Sequence, residues 1–189
     1  MKRIALFASG NGTNAQKIID YFQSNSEIKI SLLVCNKADA FVLKRAENVN
    51  VESVVINKKD FFETEKINFL LAEKKIDWII LAGFLWMIPS SLIKKFPNKI
   101  INIHPALLPK FGGQGMYGMN VHKAVIAAQE KESGISIHFV NEKYDDGKII
   151  FQARCEISEN ETSESLAEKI HQLEHLHFSK EIEKIVSGN

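Results

Sequence analysis

At 189 residues the chain has a length suited to one domain. Its 24 Lys plus Arg and 23 Asp plus Glu leave a net charge of +1, which argues against a protein built to grip nucleic acid or an anionic membrane. Apolar residues at 45% and charged residues at 25% describe a chain that buries a core and is not disordered. Lys2–Ala8 is a short apolar run ending at a glycine turn, the form of a buried strand; behind Met1-Lys2-Arg3 it is too short for the core of a signal peptide. Thr13-Asn14-Ala15-Gln16 has the form of a capping box and opens a helix with Ile18, Ile19 and Phe22 on one face. Ile28–Val34 is a second strand, Asp39 caps a helix carrying Phe41, Val42 and Leu43, and Val51–Ile56 is a third strand. Phe62–Lys75 repeats apolar residues at Ile67, Leu70 and Leu71, a helical spacing. Trp78–Ala82 is a strand apolar enough to be covered on both faces, and Ile100–His104 is a fifth. Residues 105–121, with two prolines and four glycines, are irregular. Val121–Gln129 is helical, Gly134–Val140 and Lys148–Glu156 are more polar strands, and Ser165–Val186 is a long closing helix with Ser165-x-x-Glu168 as a second capping box.

This alternation predicts a doubly wound α/β domain, a mostly parallel central sheet with helices on both faces. No run approaches the ~20 apolar residues of a membrane span. Cys35 and Cys155 form no metal or redox spacing and read as buried thiols of a reducing compartment. The expectation is one soluble, cytoplasmic domain.

Ser9-Gly10-Asn11-Gly12-Thr13-Asn14 lies between the first strand and first helix, where free amide hydrogens and the helix dipole face an anion. It is either an anion cradle or a tight turn. Gly10-x-Gly12-x-x-Ala15 loosely matches a dinucleotide fingerprint, but the acid expected at the end of the second strand is replaced by Cys35-Asn36-Lys37. A single phosphate fits better than a dinucleotide.

Alternation along Ile100–His104 puts Asn102 and His104 on one face at the strand's carboxyl end, the usual ligand crevice of an open α/β sheet. The pair either ties a loop to the sheet or works as an amide donor beside an imidazole that moves protons. Tyr144-Asp145-Asp146-Gly147 reads as a turn between strands, and an Asp there can orient an imidazole and favour its cation, raising its pKa where burial alone would lower it.

Taken in order, the SGNGTN turn, Asn36-Lys37-Ala38-Asp39-Ala40, Ala82-Gly83-Phe84, Asn102-Ile103-His104-Pro105-Ala106-Leu107-Leu108-Pro109 and Tyr144-Asp145-Asp146-Gly147 resemble the phosphoribosylglycinamide formyltransferases of purine synthesis. The likeness runs from residue 2 to about residue 178. It implies a formyltransferase-type Rossmann-like fold with a phosphate-binding N-terminal half and a folate-binding, catalytic C-terminal half. It further implies transfer of a formyl group from 10-formyltetrahydrofolate to the amine of glycinamide ribonucleotide. Gly12, Thr13 and Asn14 would hold the phosphate, and Glu174 the glycinamide end. Asn102, His104 and Asp145 would be the catalytic group, with protonated His104 stabilising the oxyanion. Leu85, Trp86, Met87, Ile88, Asn102, Asn141 and Tyr144 would hold the folate. The Leu108–Pro109 bond would be cis. The implied partners are small molecules alone, with no nucleic acid, membrane or metal, for a monomer or homodimer. Trp86 stands where many relatives carry Arg, His171 where a Gln is expected, and the loop after Pro109 is long and glycine-rich.

Gly113-x-Gly115-x-x-Gly118 in that loop follows no strand, so it fails as a dinucleotide site and reads as a lid or a plain surface loop. His171-x-x-Glu174-His175 matches a zinc-protease pattern, but such a site needs a third ligand and the 14 residues after His175 leave little room for one. His122 and His177 read as surface or helix-end residues, and His138 as an interior histidine behind His104. A methionyl-tRNA formyltransferase would need a second, tRNA-binding domain. A phosphate-binding module without catalysis would leave Asn102 and His104 idle.

Overall fold

The computed structural model describes residues 1–188. Seven strands form one sheet: β1 (Lys2–Ala8), β2 (Ile28–Cys35), β3 (Ser53–Val55), β4 (Trp78–Leu81), β5 (Ile100–His104), β6 (Glu132–Phe139) and β7 (Ile149–Glu156). Their order is β3-β2-β1-β4-β5-β6-β7, with the first five parallel and β6 running antiparallel to both of its neighbours, β5 and β7. The helices are α1 (Thr13–Phe22), α2 (Phe41–Asn48), α3 (Lys58–Phe62), α4 (Lys66–Glu73), α5 (Ser90–Lys95), α6 (Met119–Ala127) and α7 (Ser163–Ser187).

The period-2 alternation of β1 builds both layers. Ile4, Leu6 and Ala8 join α1, α2, α6 and α7 through Ile18, Val42, Val125, Ile170 and Phe178. Ala5 and Phe7 meet α3, α4 and α5 through Phe61, Ile67, Leu71 and Leu92. Phe61, 1% exposed, packs against Phe7, Phe62, Phe84 and Trp86. Truncating such a ring to Ala costs about 3–5 kcal/mol. The chain runs from β1 outward through β2 and β3, then returns to β4 on the other side. The carboxyl ends of β1 and β4 therefore flank the switch point where such sheets bind ligands.

Several boundaries differ from the sequence reading. The helix expected over 62–75 shortens to α4, started at Lys66 where the Thr64 hydroxyl donates to the Asp60 carbonyl and accepts from the Lys66 amide; the separate α3 before it, capped by Asn57, was not foreseen. The closing helix is capped by Thr162 and Ser165 rather than by Ser165 and Glu168. Asp39 caps nothing, since Ala40 is the N-cap of α2. The third strand shortens to three residues, and α5 was not foreseen. No helix among the described residues is long and apolar enough to cross a membrane.

Candidate active site

The turn after β1 is set by glycine. Gly12 has φ +75°, and a Cβ there would collide with the Val42 side chain. Gly12 is the N-cap of α1 and supplies no side-chain cap, so the expected Thr13–Gln16 capping box is absent and the first-turn amides stay free for an anion. Ser9 joins the turn to the loop after β4: its amide donates to the Gly83 carbonyl at 3.0 Å, and its Oγ accepts from the Leu85 amide at 2.9 Å.

Asn102 and His104 project from the end of β5 opposite His138 and Ser136 of β6. Ser136 Oγ accepts from the Leu108 amide and donates to the Ala106 carbonyl, and Gln152 bonds both Leu108 and Ser136, so the strand's exit is pinned beneath His104. The Leu108–Pro109 peptide is cis. His104, 3% exposed, donates Nε2–H to the Phe111 carbonyl at 2.7 Å and turns Nδ1 to Asp145 Oδ2 at 3.5 Å. His138 donates Nδ1–H to the Phe139 carbonyl, which leaves Nε2 to accept from Asn102 Nδ2 at 3.1 Å. Asn102 Nδ2 also lies 3.5 Å from Asp145 Oδ1, and the Gly113 amide donates to Asp145 Oδ2 at 3.0 Å. Asp145 has φ +50°, a left-handed conformation that Asp tolerates in turns. Gly147 presses that turn onto β6, where a Cβ would meet the Phe139 carbonyl oxygen.

Burial lowers the His104 pKa, and the Asp145 charge offsets this only in part, so the expected net rise is reversed. Withdrawal from water outweighs a carboxylate 3.5 Å away, and the resting imidazole is neutral at neutral pH. Burial pushes Asp145 up, but His138, His104 and the Gly113 amide together hold its carboxyl below the usual range.

Glu174 of α7, 5% exposed, accepts at Oε2 from Asn14 Nδ2 at 2.9 Å and from His171 Nδ1 at 3.0 Å. Glu174 holds the His171 pKa above its ordinary value against burial. His122, expected at the surface, is 3% exposed because α6 packs under α7, and burial lowers its pKa. His177 is half-buried against the Phe151 ring. Among the described residues no three His, Cys, Asp or Glu side chains converge as a metal site.

One cleft of about 770 Å³ gathers the glycine turn, Asn102, His104, His138, Asp145, His122, His171 and Glu174. Gly12, Thr13, Asn14 and Glu174 line one end; Asn102, His104 and Asp145 line the middle; Leu85, Trp86, Met87, Ile88, Asn141 and Tyr144 line the other. Lys37, Val140 and residues 113–119 also line it. The sequence reading missed Lys37, the Phe111 carbonyl and the Gly113 amide; the last two are backbone groups with no side-chain signature.

The fold places a glycine turn with free first-turn amides after β1 and an Asn–His–Asp cluster at the end of β5, and the known proteins that share this fold are group-transfer enzymes. Residues 2–182 match the family described as Formyl transferase. The chain is 35% identical to "Phosphoribosylglycinamide formyltransferase" of Bacillus subtilis, covering 100% of this chain and 97% of that one. It is 39% identical to the chloroplastic phosphoribosylglycinamide formyltransferase of Arabidopsis thaliana over 92% of this chain, spanning 62% of that relative's length, and it spans 14% of a trifunctional purine biosynthetic protein of Chironomus tentans. The solved glycinamide ribonucleotide transformylase 1 of Geobacillus kaustophilus superposes with a TM-score of 0.87 at 37% identity, covering 96% of each chain. The chain belongs to the formyl transferase family, among its phosphoribosylglycinamide formyltransferases.

Proposed function

We propose that the protein transfers the formyl group of 10-formyltetrahydrofolate to the primary amine of glycinamide ribonucleotide. The observation that carries this reading is a single cleft lined at one end by an anion turn, in the middle by Asn102, His104 and Asp145, and at the other by an apolar slot. The amides of Gly12, Thr13 and Asn14 take the phosphate, and the Glu174 carboxylate, steadied by Asn14 and His171, faces the amine end. Leu85, Met87, Ile88 and Val140 form a slot suited to a flat heteroaromatic ring, rimmed by Asn141 and Tyr144. Trp86 turns to an aromatic cluster with Phe61, Phe62 and Phe84.

The amine attacks the formyl carbon, and the C=O electrons move onto oxygen. Asn102 donates an N–H to that oxygen. Neutral His104 accepts the proton the nitrogen sheds, becomes imidazolium beside Asp145, and returns a proton to folate N10 as the carbon–N10 bond breaks. Holding both substrates in one cleft supplies much of the acceleration. The reading includes a cytoplasmic, single-domain enzyme that uses no metal, acts on small molecules, and is a monomer or homodimer. Its phosphate-binding half is N-terminal and its folate-binding, catalytic half C-terminal. Incubation with both substrates, following the deformylated folate by absorbance, tests it. Turnover that requires both is expected; none from the folded protein would overturn the reading.

A further inference from the structure

Arg45 belongs to none of the groups assigned so far, yet it reaches the anion turn from α2. Its Nε donates to the Asn11 carbonyl at 2.8 Å, and its Nη2 donates to the Asn11 side-chain Oδ1 at 3.2 Å. The guanidinium also rests over the Phe41 ring, 4.9 Å from its centroid. Helix α2 grips the turn at two neighbouring points as well: the Val42 amide donates to the Gly10 carbonyl at 3.2 Å, and the Val42 side chain fills the space beside Gly12.

The geometry of the peptide unit gives the Arg45 contact its meaning. The Asn11 carbonyl and the Gly12 N–H belong to one planar trans peptide, in which the two bonds point in opposite directions. A fixed fork on the oxygen side therefore fixes where the Gly12 N–H aims on the other. A charged donor at the oxygen also polarises the unit and strengthens that N–H as a donor. Gly12 has φ +75° and no side chain to lock it, so its peptide needs an outside restraint.

We propose that Arg45 is a positioning residue for substrate phosphate: by holding the Asn11 carbonyl it aims the Gly12 N–H at the anion. The proposal rests on the reading of the turn as the phosphate site. Lysine keeps the charge but cannot present two donors in a fixed plane, so Arg45→Lys separates the fork from the charge. Lys44→Gln, at an exposed neighbour on the same helix, removes one positive charge and leaves the fork intact.

The experiment is steady-state kinetics of the wild type, Arg45→Lys, Arg45→Gln and Lys44→Gln. Glycinamide ribonucleotide is compared with its dephosphorylated riboside, with Tm recorded for each protein. Arg45→Lys and Arg45→Gln should each raise the ribonucleotide KM on the order of tenfold, the worth of one charge-assisted hydrogen bond. The kcat and the formylfolate KM should stay within about twofold, and the riboside KM should not move. Lys44→Gln should match the wild type. An unchanged ribonucleotide KM in Arg45→Lys would overturn the proposal. So would equal rises for ribonucleotide and riboside with a lowered Tm, which would make Arg45 a packing residue. A wild type that does not prefer the ribonucleotide over the riboside would overturn the phosphate reading, and this proposal with it.

Discussion

Asp145→Asn keeps the size of the side chain and removes its charge, so it isolates what the carboxylate does for His104. Nδ1 and Oδ2 are 3.5 Å apart, and a full charge pair at that distance is worth about 5 kcal/mol at an effective dielectric of about 20. Asp145 keeps 12% of its side chain exposed, so water takes part of this. What remains still favours the imidazolium, so the carboxylate holds the His104 pKa up against the larger effect of burial. The sign follows from the protonation states. The carboxylate favours imidazolium, so its loss drives a His104 pKa already lowered by burial further down. If neutral His104 must accept the amine proton, kcat/KM falls as pH drops through that pKa, and in Asp145→Asn this acid limb moves to lower pH. The plateau should fall by about 10²–10⁴, because the imidazolium formed during reaction has lost its counter-charge. NMR titration of the His104 ring checks the pKa directly, and pH profiles of kcat/KM check its use. The substrate's own amine titrates as well, but that limb belongs to the free substrate and stays in every variant. Asn102→Ala should cost about 10²–10³ with the limb unmoved, since an amide does not titrate. Asp146→Asn, whose carboxylate bonds Asn141 instead, should change neither limb nor plateau. A limb that stays put in Asp145→Asn, or moves when Asp146 is changed, refutes the assignment.

Gly12→Ala places a methyl group against Val42 in a left-handed conformation, so the ribonucleotide KM should rise while the formylfolate KM holds; unchanged ribonucleotide KM in a folded variant returns the turn to a mere connection. Chelators should leave activity intact, and His171→Ala with His175→Ala should change no metal content; stoichiometric zinc lost in that pair would restore the protease-like motif. Glu161, bonded by Lys169 and then Ser165, has its carboxyl pulled from 4.5 to about 2. A depressed carboxylate stabilises the fold above its ordinary pKa and loses that contribution as pH falls toward the lowered one. Glu161→Gln should therefore lower Tm at neutral pH, with the gap to wild type closing between pH 4.5 and about 2; a gap constant over that range would make the contribution one of packing.

Element order was legible because the inner strands carry a pattern that a sheet covered on both faces satisfies. Ile4 to Ala8 is apolar at every position, and the structure sends alternate residues to opposite layers. Where the reading slipped, competing side chains decided. The apolar spacing through Phe62–Lys75 suits one helix, but Thr64 offers its hydroxyl to the backbone between α3 and α4, so that helix starts only at Lys66. Thr13 looked like a cap, yet the crowding of Val42 on Gly12 makes the glycine itself the boundary. His122 carries no sequence sign of burial, because α7 covers it from about 50 residues away in the chain.

Within the site, the period of a strand was enough to pair Asn102 with His104, and a turn signature was enough to single out Asp145. The groups that set their chemistry were hidden for a common reason: they are backbone atoms of a loop whose path no side-chain pattern encodes. The Phe111 carbonyl fixes the proton on His104 Nε2, and with that nitrogen committed the ring titrates at Nδ1, the atom facing Asp145. The Gly113 amide from the same loop binds that same carboxylate. Burial and charge were both foreseeable as opposing influences on His104, but their balance depends on depth, and a sequence does not state depth. At 3% exposure desolvation prevails, and that outcome changes the chemistry. A permanently charged His104 could only donate, whereas a neutral one beside a waiting carboxylate takes the amine's proton as it is released and passes one on.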